Sequence, residues 1–394
     1  MKQKTIFILI WAATSVCGLK AQTEPITATE KKPSVVSDLK LSGLLISQYQ
    51  YIGQEDAESN SFNIRLGRLS LEGRLLDDFY WKAQVQFNGN ISTVGQSPRV
   101  IDLFSEWQKY KFFRVKLGQF KRPFTFENPI HPIDQGFMSV SQNVSKLCGF
   151  SDRTGEHSSN GRDIGIQLQG DVLKNAAGRE LVHYQIGVYN GQGINTKDVD
   201  QRKDIIGGIW VMPIKGLRLG VFGWTGSYAR RGNYTLVDPS THAPVLDAGG
   251  HPQIVKGLQT VEKQRYALSA EYVVNDFTFR SEYIHSTGYS FQTTYNTKDD
   301  LQKADINYAA GNKADGFYAL AIAPIIKKKV HIKARYDLYR SRAEWGSAKT
   351  LYELGADYIL TRNLKFSGEY VFVNDRSLAK PNYQMIDIEV ALRF

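Results

Sequence analysis

The sequence has few cysteines, no long apolar runs after its first residues and no helical periodicity, and each shortage removes a class of protein. Of its two cysteines, Cys17 falls in a candidate N-terminal leader, so Cys148 is the single thiol of the mature chain and no intrachain disulfide can form. Beyond the leader no stretch approaches the roughly 18 apolar residues of a spanning helix. A chain that meets a membrane here must cross it with strands. The seven histidines have no metal-ligand spacing, so neither a zinc site nor any other cofactor is expected. Ser281 and His285 share a strand face, but Phe277, Phe279 and Tyr283 share it too. That face reads as lipid-directed rather than catalytic, and no enzyme is expected.

What is present begins with residues 1–21. Lys2 and Lys4, an apolar run from Ile6 and small residues ahead of Ala21 read as a secretory signal. Cys17 follows Val16 rather than Gly or Ala, so no lipoprotein anchor is read there. Residues 22–38 are polar, contain two prolines and read as an N-terminal arm. Removing Lys2, Lys4 and Lys20 with the leader leaves 46 basic against 39 acidic residues. A basic exported chain points to anionic partners, and no nucleic-acid motif accompanies the charge.

From residue 39 to 394 strand follows strand. Phe79, Trp81, Ala83, Val85 and Phe87 alternate with Tyr80, Lys82, Gln84, Gln86 and Asn88, the period of a strand between two environments. In Phe62–Leu76 the parity changes, which predicts a bulge near Gly67 and Arg68. Aromatics including Tyr49, Trp81, Tyr189 and Tyr370 are expected at strand ends or on the apolar face, as interfacial girdles require. Connections alternate between tight turns, such as Asn275–Asp276, and long polar loops, such as 121–161, 229–263 and 286–315. Sorting loops by length to opposite rims is a membrane-barrel habit. The expected fold is all-β: a transmembrane antiparallel β-barrel of about sixteen strands, with short periplasmic turns and long extracellular loops. The last strand carries its alternation through Ile386, Ile388, Val390 and Leu392 to a terminal Phe394, which resembles the closing signature of bacterial outer-membrane barrels.

The chain is organised around Arg114–Glu127, RVKLGQFKRPFTFE. Val115 and Leu117 alternate with Arg114 and Lys116, and Lys121, Arg122 and Pro123 then break the strand. The basic face reads as lining a water-filled lumen, and 121–161 as a loop folded inward to narrow it. With VKLGQFKRPFTFE, RDIGIQLQG, YQIGVYNGQGIN, KDIIGGIWVMPIKGLRLG and the terminal Phe394, the chain resembles the phosphate-selective porin O and P family in its Bacteroidetes-like version. The resemblance implies a sixteen-stranded, usually trimeric channel in a Gram-negative outer membrane, facing lipid and lipopolysaccharide, that passes phosphate or other small anions. Carried onto this sequence it points to Lys116, Lys121 and Arg122, and to Arg65 and Arg68. The arginine series near the start is sparser than in phosphate-selective members, and later lumen positions mix both signs, as in Lys333, Arg335 and Asp337. The expected basic wall is Arg65, Arg68, Lys82, Arg114, Lys116, Lys121 and Arg122, with Asp102 and Glu106 orienting part of it. The alternatives are a general porin without phosphate selectivity and a non-conducting adhesive or structural barrel.

Overall fold

The computed structural model describes residues 35–88 and 98–394; the expected leader and residues 22–34 of the expected arm lie outside them. In chain order the strands are β1 (Val36–Ile52), β2 (Ser59–Leu75), β3 (Phe79–Gln86), β4 (Arg99–Tyr110), β5 (Phe113–Lys121), β6 (Arg162–Lys174), β7 (Glu180–Tyr189) and β8 (Asp204–Val211). They continue as β9 (Leu217–Thr235), β10 (Ile254–Val274), β11 (Phe277–Thr287), β12 (Lys313–Ile326), β13 (Val330–Arg340), β14 (Ala348–Thr361), β15 (Leu364–Asp375) and β16 (Asn382–Arg393). Each pairs with the next, and β1 closes antiparallel on β16, with Leu45 opposite Leu392 and Tyr49 opposite Ile388. Closure leaves no sheet edge, so every strand finds backbone partners without water. β1 starts at Val36, inside the stretch read as arm.

Alternation sets the two faces. On β14 Leu354 is 62% exposed while its neighbour Glu353 is 2% exposed, and on β16 Ile388 is 53% exposed beside Glu389 at 2%. Apolar side chains therefore cover the outside and charged ones the inside, the inverse of a water-soluble sandwich. A closed sixteen-stranded barrel with this polarity is the architecture of an outer-membrane protein of a Gram-negative bacterium. Ser281 and His285 lie on the outer face with Phe279, as expected. Tyr189 does not join a girdle: it is fully buried, packs against Phe120 and donates to Gln167 Oε1 at 2.8 Å.

Connections at one rim span 76–78, 111–112, 175–179, 212–216, 275–276, 327–329 and 362–363, while the other rim carries 122–161, 190–203, 236–253 and 288–312 among its loops. At one of the two-residue turns Asn275 and Asp276 both take positive φ, 48° and 74°, which suits the right-handed twist of the flanking strands. The β2 bulge falls at Arg65, where Ile64 and Leu66 face Ser47 and Ile46 and leave the arginine between them unpaired in register. That is two residues earlier than the sequence suggests. The extra residue brings Arg65 and Arg68, three apart, to the same side of the sheet.

Candidate functional site

The segment between β5 and β6, residues 122–161, runs across the inside of the barrel and carries the short helix α1 (Gln142–Leu147). Its backbone polar groups are satisfied by inward side chains of the far wall. The Glu282 carboxylate accepts from Phe126 N at 2.7 Å and Glu127 N at 2.8 Å, Glu369 from Met138 N at 2.9 Å, and Asp337 from Gln142 N at 2.8 Å. Cations take the carbonyls: Lys333 donates to Gly136 O at 2.7 Å, Arg335 to Ser139 O at 3.0 Å, and Lys365 to Ile133 O at 2.8 Å. A buried segment without regular structure needs both signs around it, and the mixed charges of β10–β15 supply them. Apolar contacts add to this: Phe124 packs edge-on to Trp224 with ring centroids 5.5 Å apart, and Phe126 to Phe222 at 5.5 Å.

The opposite wall, β2–β6, is left facing a cavity of about 360 Å³ between the strands and the crossing segment. Arg68, Lys82, Lys116, Lys121, Arg122 and Arg162 line it, with Asp102 as the one carboxylate in that lining. These cations differ in how far they are neutralised. The Lys82 ammonium has no hydrogen-bond or ion-pair partner among the described residues. Arg68 is buried and donates its Nε to Gln86 Oε1 at 3.0 Å, and its terminal nitrogens have no hydrogen-bond partner among the described residues. Lys121 donates only to the carbonyls of Asn128 and Ile130. None of these three forms an ion pair with a carboxylate among the described residues. Gln84 lines the same cavity with its Oε1 buried and unpartnered.

The other expected residues are paired. Lys116 lies 3.4 Å from Glu106 and over the Phe104 ring at 4.9 Å, while Glu106 also accepts from Gln169 at 2.5 Å. Arg114 bonds Asp171 at 2.7 Å, and Arg65 bonds Glu389 at 2.6 Å. Asp102 accepts two hydrogen bonds from Arg162, at 2.5 and 3.1 Å. Arg122 departs most from the expectation of a wall cation. Its guanidinium is fully buried between Glu156 and Asp163, each at 2.9 Å, and donates to Cys148 O at 3.3 Å. Gly149 keeps that place open, since a side chain there would occupy the position of the guanidinium. Arg122 clamps the segment to the wall. Arg162, absent from the expected wall, sits opposite Lys121 in register. No sequence pattern announces that pairing across a segment of this length.

Two groups of the crossing segment are held in unusual ionisation. Burial pushes the Cys148 thiol well above its ordinary range. Burial also pushes His157 below its ordinary value, against the pull of Glu156, and its Nε2 lies 3.1 Å from Ile194 O. Among the described residues no group of His, Cys, Asp and Glu is arranged to hold a metal ion.

No protein-family model and no curated protein sequence matches the chain. Solved structures do. The chain is similar to an anion-selective porin from Comamonas acidovorans, with a TM-score of 0.59 and 14% identity over 91% of this chain and 100% of that one. It is also similar to OmpT of Vibrio cholerae, with a TM-score of 0.55 and 12% identity over 92% of this chain and 99% of that one. A third likeness, to the outer-membrane channel DcaP of Acinetobacter baumannii, has a TM-score of 0.56 and 11% identity over 93% of this chain and 100% of that one. At such identities the likeness is one of fold, extended over nearly the whole length of each chain.

Proposed function

We propose that this chain is an outer-membrane porin forming a water-filled, anion-preferring diffusion channel. The observation that carries the reading is the β2–β6 cavity, whose lining has six cations against one carboxylate and leaves Arg68, Lys82 and Lys121 without acidic partners. A conducting site must attract an ion without trapping it, and lysine serves as a point charge that releases readily while arginine can fork onto an oxyanion. The crossing segment acts as the constriction. Small anions are the solutes, inorganic phosphate among them, and a homotrimer in contact with lipid and lipopolysaccharide is the assembly. The fold likeness to a porin described as anion-selective supports this reading, as does a structure of OmpT described as a trimer form.

The test is the reversal potential of the purified protein in a planar bilayer across a chloride gradient. A potential displaced toward that of chloride is expected. A cation-selective potential would remove the basic wall from the mechanism, and a sealed barrel would turn the reading toward an adhesive or structural role.

A further inference from the structure

The β2–β6 cavity is chemically lopsided. β2 and β3 supply Arg68 and Lys82, cations with no carboxylate ion pair, whereas the crossing segment supplies Pro123, Pro129, Ile130 and Pro132 beside His131 and the clamped Arg122, and β4 adds the Phe104 ring beneath Lys116. Proline has no N–H to donate. With the Arg122 guanidinium taken up by Glu156 and Asp163, the segment side offers an anion one imidazole, His131, amid hydrocarbon, and stripping water from that side of a compact oxyanion would go largely uncompensated. A carboxylate joined to a flat apolar body meets no such penalty: its charged end faces the strand-borne cations and its ring covers proline, isoleucine and phenylalanine surface. The volume, about 360 Å³, is of the size that encloses small organic molecules.

We propose that this cavity is a binding step for small aromatic carboxylates, preferred over compact inorganic oxyanions; the proposal rests on the anion-channel reading above. Burying one ring face against apolar surface corresponds to about ten-fold in affinity over an aliphatic carboxylate of the same charge.

The experiment measures block of chloride current by benzoate, acetate and inorganic phosphate, with calorimetric titration of benzoate into the detergent-solubilised protein in parallel. Half-block by benzoate at about one tenth of the acetate concentration is expected. Ile130→Asn, at a half-exposed position of the segment, should bring benzoate close to acetate, whereas Lys82→Gln should weaken both alike. Equal block by benzoate and acetate, or tighter block by phosphate, in a channel that conducts chloride would overturn the proposal and leave the channel reading standing. Benzoate heat that falls in Ile130→Asn, without any chloride current, would keep the site and overturn the channel. Neither current nor heat would overturn both.

Discussion

At the scale of single residues, cations of one type and similar sequence setting do different work according to their partners. Lys121 and Arg122 are adjacent, yet Lys121 hydrogen-bonds carbonyls and lies over the Phe150 ring while Arg122 is enclosed by two carboxylates. Lys82→Gln and Lys121→Gln should each move the reversal potential toward zero with little effect on assembly, and the double substitution should move it further. Arg122→Gln should act on stability instead. Removing one partner from a buried ion pair leaves the other charge unmet and costs about 3–5 kcal/mol, so heat-induced unfolding of that variant should shift well below wild type. An Arg122→Gln barrel of unchanged thermal stability but altered selectivity would return this residue to the wall. Sequence alternation sufficed to place Lys82, Lys116 and Asp102 on the lumen side. It could not distinguish a free cation from a neutralised one, because Glu156, Asp163 and Arg162 approach from across a long segment whose path has no period to read.

At the scale of elements, the strands were legible and the contacts of the crossing segment were not. A strand between lipid and water must alternate, so its pattern survives in the sequence. Residues 122–161 are instead stabilised point by point: Glu282, Asp337 and Glu369 receive its N–H groups, and Lys333, Arg335 and Lys365 its carbonyls. The same requirement explains why β10–β15 carry both signs, which in the sequence counts against phosphate selectivity. The β2 bulge is legible as a parity change that points to Gly67 and Arg68, while the register breaks at Arg65. Docking of the segment should respond to acid through His157. A buried imidazole held below its ordinary value binds its proton less readily than the same group in an undocked segment, whose value lies near 6.5. The undocked state therefore binds more protons below that point, so docking weakens as the pH falls through about 6.5 and is unaffected by this group above it. Cys148, fully buried on the same segment, reports the event. A dipyridyl disulfide, which reacts with thiols in acid, should label it slowly at pH 8 and faster at pH 5, with the contrast reduced in His157→Gln. Equal labelling at both values in the wild type would exclude this histidine as an acid-sensitive contact.

At the scale of the whole molecule, the barrel and the segment divide the work. Closure of β1 on β16 satisfies the sheet by itself, so the wall does not need the segment in order to exist. Without the segment, however, the lumen becomes wide and its charge balance changes. Glu282, Asp337 and Glu369 would lose the backbone donors they now receive, though Glu282 keeps the Tyr318 hydroxyl and Glu369 keeps Lys333, both at 2.7 Å, and Lys333 and Arg335 would lose carbonyl acceptors but keep Asp357 and Glu353 at 2.8 Å. The uncovered far wall thus presents both signs, since Arg265 loses its partner Asp152 and Lys365 its carbonyl, while the β2–β6 wall keeps Arg68 and Lys82. Replacing residues 129–159 by a short glycine-serine linker should therefore raise single-channel conductance several-fold and bring the reversal potential close to zero, because a wider path screens the β2–β6 cations and the far wall adds charges of both signs. The two readouts separate the contributions. Higher conductance with selectivity intact would mean that the β2–β6 cations alone set the preference and the segment only narrows the path. Unchanged conductance would show that solute passes without meeting the segment at all, which would place the constriction elsewhere in the barrel.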